Sequence, residues 1–312
     1  LFGGQVPPVG TRIRRPDLAR TLERIADEGP EAFYRGQIAR AIVESVGRAG
    51  GVITAADLEA YRPVWREPIR VSYRNFEILL MPPPSSGGIC IAQTLNILET
   101  WPLAEIQRRD AGLAAHLTVE ALKHAFADRA RHLGDADFIR VPVAKLAGPA
   151  YGRELAGRIQ EDRVSVPADY GWRLTEDSGT THFCAADRWG NVVAVTETIN
   201  TGFGSFVMAE GRGLVLNDER DDFTAEPGRR NAFGLMQSPL NEAVPGKRPL
   251  SSMSPTLVLL EGRPVLAVGA AGGPRIITAT LQVLLGVVEH GLPVEEAIAR
   301  PRLHHQWDPD TV

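Results

Sequence analysis

Apolar residues recur at helical spacing through the first half of the chain. The pattern between residues 18 and 26 predicts a helix that ends at Gly29-Pro30, and a second helix follows over 38–46. Thr54, with an acidic residue three positions later, is typical of a helix N-cap. Longer periodic stretches predict three further helices, over 89–100, 113–133 and 143–160.

Short segments rich in β-branched and aromatic residues come in pairs, and each pair predicts a β-hairpin. The pairs lie at 69–73 with 76–81, at 181–187 with 192–199, and at 255–260 with 265–270. A further short strand is expected at 213–217. Gly272-Gly273-Pro274 then begins a helix of roughly four turns, and another helix follows over Val294–Ala299. Strands followed by helices, without strict alternation, predict an α+β fold in which helices cover a sheet.

The composition is that of a globular protein with room for a large core or two domains. Of the 312 residues 44% are hydrophobic and 23% are charged, and the formal net charge is −4. The basic residues are scattered, which disfavours a nucleic-acid-binding surface. No stretch reaches the ~18–20 apolar residues of a membrane span, so we expect none in this chain.

The cysteines and histidines give little sign of a disulfide or metal site. Cys90 and Cys184 are the only cysteines, which is no disulfide framework and leaves the cellular compartment open. Strand alternation puts Cys184 on the same side as His182, where we expect a core thiol. The histidines lack the spacing of metal ligands, so no metal is expected.

Thr180 follows Gly179 at the start of a predicted strand, after a polar stretch over 161–179 without clear periodicity. A threonine hydroxyl needs a neighbouring base, and its own α-amine, with a pKa of about 7.7–8.0, can serve once the chain is cut before it. Gly179 has no Cβ and leaves room for the hydroxyl to attack its carbonyl. The alternative interpretation is an ordinary surface loop that joins two domains.

Several motifs around Thr180 occur in a characteristic order. From Thr180 the chain reads T-T-H-F-C-A-A-D-R-W-G-N, followed by N-D-E-R-D-D-F at 217–223, R-P-L-S-S-M-S-P at 248–255 and G-A-A-G-G-P-R-I at 269–276. This series resembles the small subunit of gamma-glutamyltransferases. M-P-P-P-S-S-G-G at 81–88 and G-D-A-D-F at 134–138 resemble the large subunit, and R-P-R-L-H-H-Q-W at 300–307 resembles the later small subunit, so the resemblance covers nearly the whole chain.

The resemblance implies a set of catalytic roles. Thr180 matches the nucleophile, which becomes the new N-terminus when the chain cuts itself after Gly179, and Thr198 matches a threonine that supports it. Gly272 and Gly273 match the oxyanion hole. The physical case for the glycines is that N–H groups at a helix N-terminus face developing negative charge. A phosphate cradle is the rival interpretation, but the full G-x-G-x-x-G pattern is lacking. No G-x-S-x-G occurs, which disfavours an esterase of the nucleophile-elbow type.

The resemblance also implies substrate-binding roles. Asn200, Glu219 and Asp222 match residues that bind the α-amino group of a glutamyl substrate, and Ser251 and Ser252 match residues that bind its α-carboxylate. Two acids in one loop suit an ammonium ion. The alternatives are a solvated acidic turn for the acids and ordinary turn positions for the serines.

The family comparison implies a four-layer αββα sandwich of the N-terminal-nucleophile hydrolase type. Residues 1–179 would form the C-terminal part of the large subunit, and 180–312 most of the small subunit, the two forming a heterodimer. The chain would transfer the glutamyl group of glutathione and related compounds to water or to an amino acid or peptide. Two other functions stay open, namely a cephalosporin or glutaryl acylase of the same superfamily and an unprocessed, inactive binding homologue.

Family members are longer at the N-terminus, where an arginine binds the substrate α-carboxylate. The chain starts at Leu1 rather than Met and stops before the last strand region of the small subunit, so we expect a fragment at both ends. A periplasmic or extracellular location is expected from the resemblance, and no signal peptide is visible in the sequence.

Overall fold

The first half of the chain is helical in the computed structural model, which describes residues 6–165, 180–226, 228–236, 238–308 and 310–312. Nine helices precede residue 165 in the described part: α1 (Pro16–Glu28), α2 (Glu31–Tyr34), α3 (Gly36–Arg48), α4 (Ala55–Ala60), α5 (Gly87–Leu98), α6 (Leu103–Arg109), α7 (Ala111–His132), α8 (Val143–Leu146) and α9 (Pro149–Ala156). The predicted cap is present, because the Thr54 side chain accepts from the Asp57 N–H while the Asp57 carboxylate accepts from the Thr54 N–H.

In the part of the chain that the structure describes, the strands form one antiparallel sheet and two separate hairpins. They are β1 (Ile69–Tyr73), β2 (Phe76–Leu80), β3 (Thr180–Ala186), β4 (Val192–Thr198), β5 (Met208–Ala209), β6 (Leu214–Val215), β7 (Thr256–Leu260) and β8 (Arg263–Val268). The sheet has the order β1-β2-β7-β8, while β3 pairs with β4 and β5 with β6. Helices α10 (Arg275–Val288) and α11 (Val294–Ala299) follow. The expected mixture of helices and antiparallel strands is confirmed.

The chain divides into two structural units. Unit 1 contains the described residues up to Trp65 together with Phe203–Asn217, and unit 2 contains Arg66–Gly202 and the described residues from Asp218 onward. In unit 1, Ile38 and Ile42 of α3 are buried with Ala209 of β5. The prediction that Leu22 lies on the buried face of α1 is wrong, because Leu22 is exposed. Thr21 is buried instead, and its hydroxyl donates to the Arg212 carbonyl at 3.0 Å.

In unit 2 the helix α5 forms the centre of the core. All of its residues are buried, as expected for a helix that is apolar on every side, and it contacts α7, α9 and α10 as well as β1 and β2. The β3–β4 hairpin lies against β7 and β8. His182 of β3 fills the space beside Gly269, where a Cβ would lie 2.3 Å from the imidazole ring. Among the described residues, every helix is too short or too polar to cross a membrane.

The prediction of one continuous helix over 143–160 is wrong. Two short helices, α8 and α9, occupy that stretch, separated by an extended Gly148 before Pro149. Proline disfavours helical geometry in the residue before it but suits the first turn of a new helix. The Asn96 amide donates to the Ala147 carbonyl at 2.8 Å and satisfies the end of α8. The sequence patterns also missed α6.

The close approach of α9 to α5 gives the first testable prediction. A Cβ on Gly152 would lie 2.5 Å from the Asn96 Cβ and 2.7 Å from its carbonyl carbon, and neither helix can yield easily. Gly152→Ala should therefore lower the free energy of unfolding by about 1–3 kcal/mol. The matched control is Gly47→Ala on the exposed side of α3, where the new methyl meets nothing within 4 Å. That control should gain about 0.5–1 kcal/mol from helix propensity. Thermal unfolding of both variants checks the prediction, and equal shifts would contradict it.

Candidate active site

The register of the β3–β4 hairpin sets two threonines opposite each other. Thr180, the first residue of β3, pairs with Thr198, the last residue of β4, and their hydroxyl oxygens are 3.0 Å apart. The Thr198 oxygen also accepts the backbone N–H of Asn200 at 2.8 Å. Either hydroxyl can donate to the other, so the Thr180 side chain is held in one orientation by a neighbour that is itself fixed. Gly179, the residue before the predicted cut, lies outside the described residues.

Asn200 connects this pair to the acidic loop. It has a positive φ of 72°, a conformation that asparagine tolerates better than most residues, and its side-chain amide donates to the Asp218 carbonyl at 3.4 Å. The Asp218 carboxylate accepts from both the backbone N–H and the hydroxyl of Thr201, at 3.1 and 2.8 Å. The end of β4 is thereby tied to the beginning of the 3-10 turn Glu219–Asp222.

The two acids predicted to bind an ammonium group lie in that turn. Asp222 is 7% exposed, and its Oδ1 accepts from the Asn231 side chain at 3.1 Å. Burial raises the pKa of Asp222 to about 8, with a further rise from Glu219, while Arg129 acts in the opposite direction. Burial also raises the pKa of Glu219 to about 7, together with the charge of Asp218. The alternative of a solvated acidic turn is therefore wrong for Asp222.

The predicted carboxylate-binding serines lie on a backbone that is fixed by the proline-rich segment. Ser251 and Ser252 are each 8% exposed. The Ser251 N–H donates to the Pro84 carbonyl at 3.1 Å, and the Ser251 carbonyl accepts from both the N–H and the hydroxyl of Ser86, at 2.8 and 2.7 Å. The Ser252 carbonyl accepts the Ser254 hydroxyl at 2.9 Å. Within the described part of the chain neither serine hydroxyl is committed to a protein partner, which leaves both for a ligand.

Two asparagines that the sequence analysis did not single out join these pieces. The Asn241 amide group donates to the Asp222 carbonyl at 2.6 Å, and its oxygen accepts the Leu250 N–H at 3.1 Å, directly before the serine pair. Asn231 donates to Asp222 and accepts the Phe233 N–H at 3.1 Å. Each asparagine thus links the acidic turn to another part of the site. Nothing in the sequence marks them, because they lie 9 and 19 residues away from Asp222.

Gly272 and Gly273 lie directly before the N-terminus of α10, as predicted. Their φ angles are 118° and 53°, values that favour glycine. A Cβ on Gly273 would lie 2.5 Å from Cδ1 of Phe233, the residue held by Asn231. The glycine turn is therefore packed against the loop that also holds Asp222. Their role as an oxyanion hole stays a prediction.

The Cys184 prediction is half confirmed. Its sulfur lies 3.2 Å from Nε2 of His182, so the two side chains share a face. The expected burial is wrong, because Cys184 is exposed. The hairpin leaves that end of β3 uncovered, and Ala185 and Ala186 are exposed beside it. In the part of the chain that the structure describes, no group of three His, Cys, Asp or Glu residues is placed to hold a metal ion.

Comparisons with known proteins agree with the sequence resemblance. A family profile described as gamma-glutamyltranspeptidase matches residues 1–312. The glutathione hydrolase proenzyme of Pseudomonas sp. (strain A14) is 43% identical over 310 residues, which cover 99% of this chain and 54% of that protein. The Acylase ACY 1 proenzyme of Pseudomonas sp. (strain V22) is 41% identical over 304 residues, covering 97% and 52%. The chain thus spans about half the length of the curated relatives it matches.

The solved structure of a cephalosporin acylase from Bacillus halodurans is also similar. It superposes with a TM-score of 0.73 at 26% identity, over 93% of this chain and 50% of that chain. This similarity confirms the expected four-layer αββα sandwich of the N-terminal-nucleophile type.

The raised pKa of Asp222 predicts a specific dependence of stability on pH. Because the pKa is higher in the folded than in the unfolded chain, the folded state holds a proton that the unfolded state releases, and stability falls as the pH rises from about 4 to about 8. Asp222→Asn removes this loss. Its Tm relative to the unmodified protein should therefore increase between pH 5 and pH 8, by about 2–4 °C for each kcal/mol. Asp27→Asn, at an exposed position of α1, is the control. A Tm difference for Asp222→Asn that is the same at both pH values would contradict the prediction.

Proposed function

The chain belongs to the gamma-glutamyltranspeptidase family, and on this premise we propose that it comes from a gamma-glutamyltransferase that cuts itself between Gly179 and Thr180. The new N-terminal Thr180 then attacks the γ-amide of glutathione and related compounds. The observation that carries the proposal is the 3.0 Å contact between the hydroxyls of Thr180 and Thr198. It supports the proposal because an oriented hydroxyl is the first requirement of a threonine nucleophile.

The cut requires only groups of the chain and one water molecule. The Thr180 hydroxyl attacks the carbonyl carbon of Gly179, and the bond from that carbon to the Thr180 nitrogen breaks as the nitrogen takes the hydroxyl proton. The resulting ester is hydrolysed by water, which leaves a carboxylate on Gly179 and restores the hydroxyl. The products are a large subunit that ends at Gly179 and a small subunit that begins at Thr180, which remain together as a heterodimer.

Turnover uses the amine that the cut has released. The α-amine of Thr180 takes the proton of the Thr180 hydroxyl. The hydroxyl oxygen attacks the γ-carbonyl carbon of the substrate, and the α-amine then gives the proton to the leaving amine. Backbone N–H groups at Gly272 and Gly273 stabilise the oxyanion, and losing one such donor costs about 2.7–4 kcal/mol in the transition state. The glutamyl ester then passes to water or to the amino group of an amino acid or peptide. None of these reaction steps uses a metal or an organic cofactor.

The acidic turn supplies the recognition of the glutamyl group. Burial disfavours the charged forms of Glu219 and Asp222, and an α-ammonium beside them favours those forms again. Asn200 adds a polar group at the same side, and the hydroxyls of Ser251 and Ser252 are available for the α-carboxylate. A periplasmic or extracellular location follows from the family resemblance and is part of the proposal.

An acylase is the second candidate, favoured by the 41% identity to the Acylase ACY 1 proenzyme. A glutaryl group has the length of a γ-glutamyl group but no α-ammonium. It would not supply the ammonium that offsets the burial of Asp222, so the burial of this acid favours the transferase. An inactive binding homologue would need neither the cut nor the contact between Thr180 and Thr198.

The nucleophile is tested by replacing Thr180 in full-length protein. Thr180→Ala should give one uncut chain and no γ-glutamyl transfer, because no hydroxyl remains to attack Gly179. Thr180→Ser should still be cut, and Thr181→Ala, an exposed neighbour on the other face of β3, should behave like the unmodified protein. Denaturing gels and N-terminal sequencing of the smaller fragment are the measurements. A fragment that starts at another residue would refute the assignment, and an uncut unmodified protein would favour the binding homologue.

The two enzymatic candidates are separated by paired γ-glutamyl and glutaryl anilides. Leaving a buried acid without its partner costs at least ~1–3 kcal/mol, so kcat/KM should favour the γ-glutamyl compound by roughly 10- to 100-fold or more. Asp222→Asn should reduce γ-glutamyl turnover far more than glutaryl turnover. Equal kcat/KM values, or a preference for the glutaryl compound, would favour the acylase and leave the role of Thr180 intact.

A further inference from the structure

Arg129 of α7 is a fully buried cation beside the proposed substrate site. The residue is 1% exposed, and its Nε donates to the Ser86 hydroxyl at 3.0 Å. Its two terminal nitrogens are buried and make no hydrogen bond in the described part of the chain. A guanidinium stays charged at neutral pH even though burial lowers the pKa of Arg129. A buried charge of this kind needs a counter-charge.

Among the described residues, one acid near Arg129 can provide this counter-charge. Cys90 and Asp222 are the two groups whose negative forms interact with Arg129. Burial raises the pKa of the Cys90 thiol to about 12, so the thiol is neutral under ordinary conditions. Asp222 is left as the acid whose ionised form can balance Arg129, and each charge favours the charged form of the other.

The hydroxyl of Ser86 transmits the position of Arg129 to the serine pair. Arginine is only a donor, so the Ser86 oxygen accepts from Nε and its single proton points elsewhere. The nearest acceptor is the Ser251 carbonyl at 2.7 Å, which also accepts the Ser86 N–H. The orientation of the Ser251–Ser252 peptide is thereby tied to the guanidinium.

We propose that Arg129 is a positioning residue for both halves of the α-amino acid site. Its charge favours the ionised form of Asp222, which binds the substrate ammonium, and through Ser86 it fixes the serine pair for the α-carboxylate. This inference rests on the proposed function. Arg129 itself does not reach the substrate, because its terminal nitrogens are closed to solvent.

The direction of the expected pH effect follows from the charges around Asp222. Burial is the main cause that raises the pKa of Asp222, Glu219, Asp221 and Asp218 raise it further, and Arg129 lowers it. Binding of the ammonium requires ionised Asp222, so kcat/KM rises with pH on its acidic limb. Removing the positive charge should move this limb to higher pH, by about 1 unit or more.

The test uses Arg129→Met in full-length protein, with processing checked on a denaturing gel. We expect the acidic limb of kcat/KM for a γ-glutamyl anilide to move upward and KM to rise more than kcat falls, since Thr180 is untouched. Arg129→Lys keeps the charge and should return the limb close to its original position. Arg131→Met, the same change at an exposed position of α7, should leave the profile unaltered. A processed Arg129→Met enzyme that loses activity equally at every pH would overturn the inference.

Ser86→Ala tests the second half of the proposal independently, and it remains informative if Arg129→Met does not fold. The variant keeps the buried charge but removes the link to the Ser251 carbonyl. KM should rise several-fold while the acidic limb stays in place. A KM equal to that of the unmodified enzyme would refute the link through Ser86. A shift of the acidic limb would show that Ser86 also affects the ionisation of Asp222, which would refute the separation of the charge effect from the positioning of the serine pair.

The charge pair can also be tested without substrate, which separates this inference from the proposed function. The gain in Tm from Asp222→Asn grows with pH until Asp222 is fully ionised in the folded protein. In an Arg129→Met background the Tm gain from Asp222→Asn should keep growing to a pH about 1 unit higher. If the pH at which the Tm gain stops growing is unchanged, Arg129 does not stabilise the charge of Asp222. If it moves while the unmodified enzyme shows no γ-glutamyl turnover, the proposed function fails and the charge pair stands.

Discussion

The pairing register of the β3–β4 hairpin is the constraint on which the candidate site depends. Opposite residues in an antiparallel pair share a face, and a slip of one residue would send every side chain to the other face. The register is set by the connecting turn, where the Asp187 carboxylate accepts the N–H groups of Trp189 and Asn191, each at 2.9 Å. Counting back from this turn brings Thr180 opposite Thr198. An exposed aspartate at one end of the hairpin thus fixes the distance between two hydroxyls at the other end.

The second requirement is a buried acid, which is unfavourable for the protein without its ligand. The Asp222 carboxylate gives up hydration and in return accepts a hydrogen bond from Asn231 and interacts with the charge of Arg129. These partners reduce the cost of burial without removing it, as its raised pKa indicates. An ammonium ligand can offset the remaining free-energy cost of burying Asp222. The site therefore favours a substrate that carries a cation over one that does not.

Local patterns in the sequence predicted much of the fold and only part of the site. The strands of the β3–β4 hairpin and of the main sheet were predicted closely, because alternation and turn residues act over a few positions. The predicted helix over 143–160 failed where Gly148-Pro149 and a contact from Asn96 divide it. Asn231, Asn241 and Arg129 carry no local signal. Their importance comes from partners that only the folded chain brings near.

The arrangement separates the proposed nucleophile from the turn that is proposed to recognise the substrate. The hydroxyl pair belongs to the hairpin, and the buried acids belong to a turn that the hairpin touches through Asn200 and Asp218. A change in the burial of Asp222 would therefore alter the preference for a cationic substrate without moving Thr180. On this view one scaffold can serve either γ-glutamyl or glutaryl amides. In this proposal the choice of substrate depends on the electrostatics of the Glu219–Asp222 turn and of the buried Arg129, rather than on the geometry of Thr180.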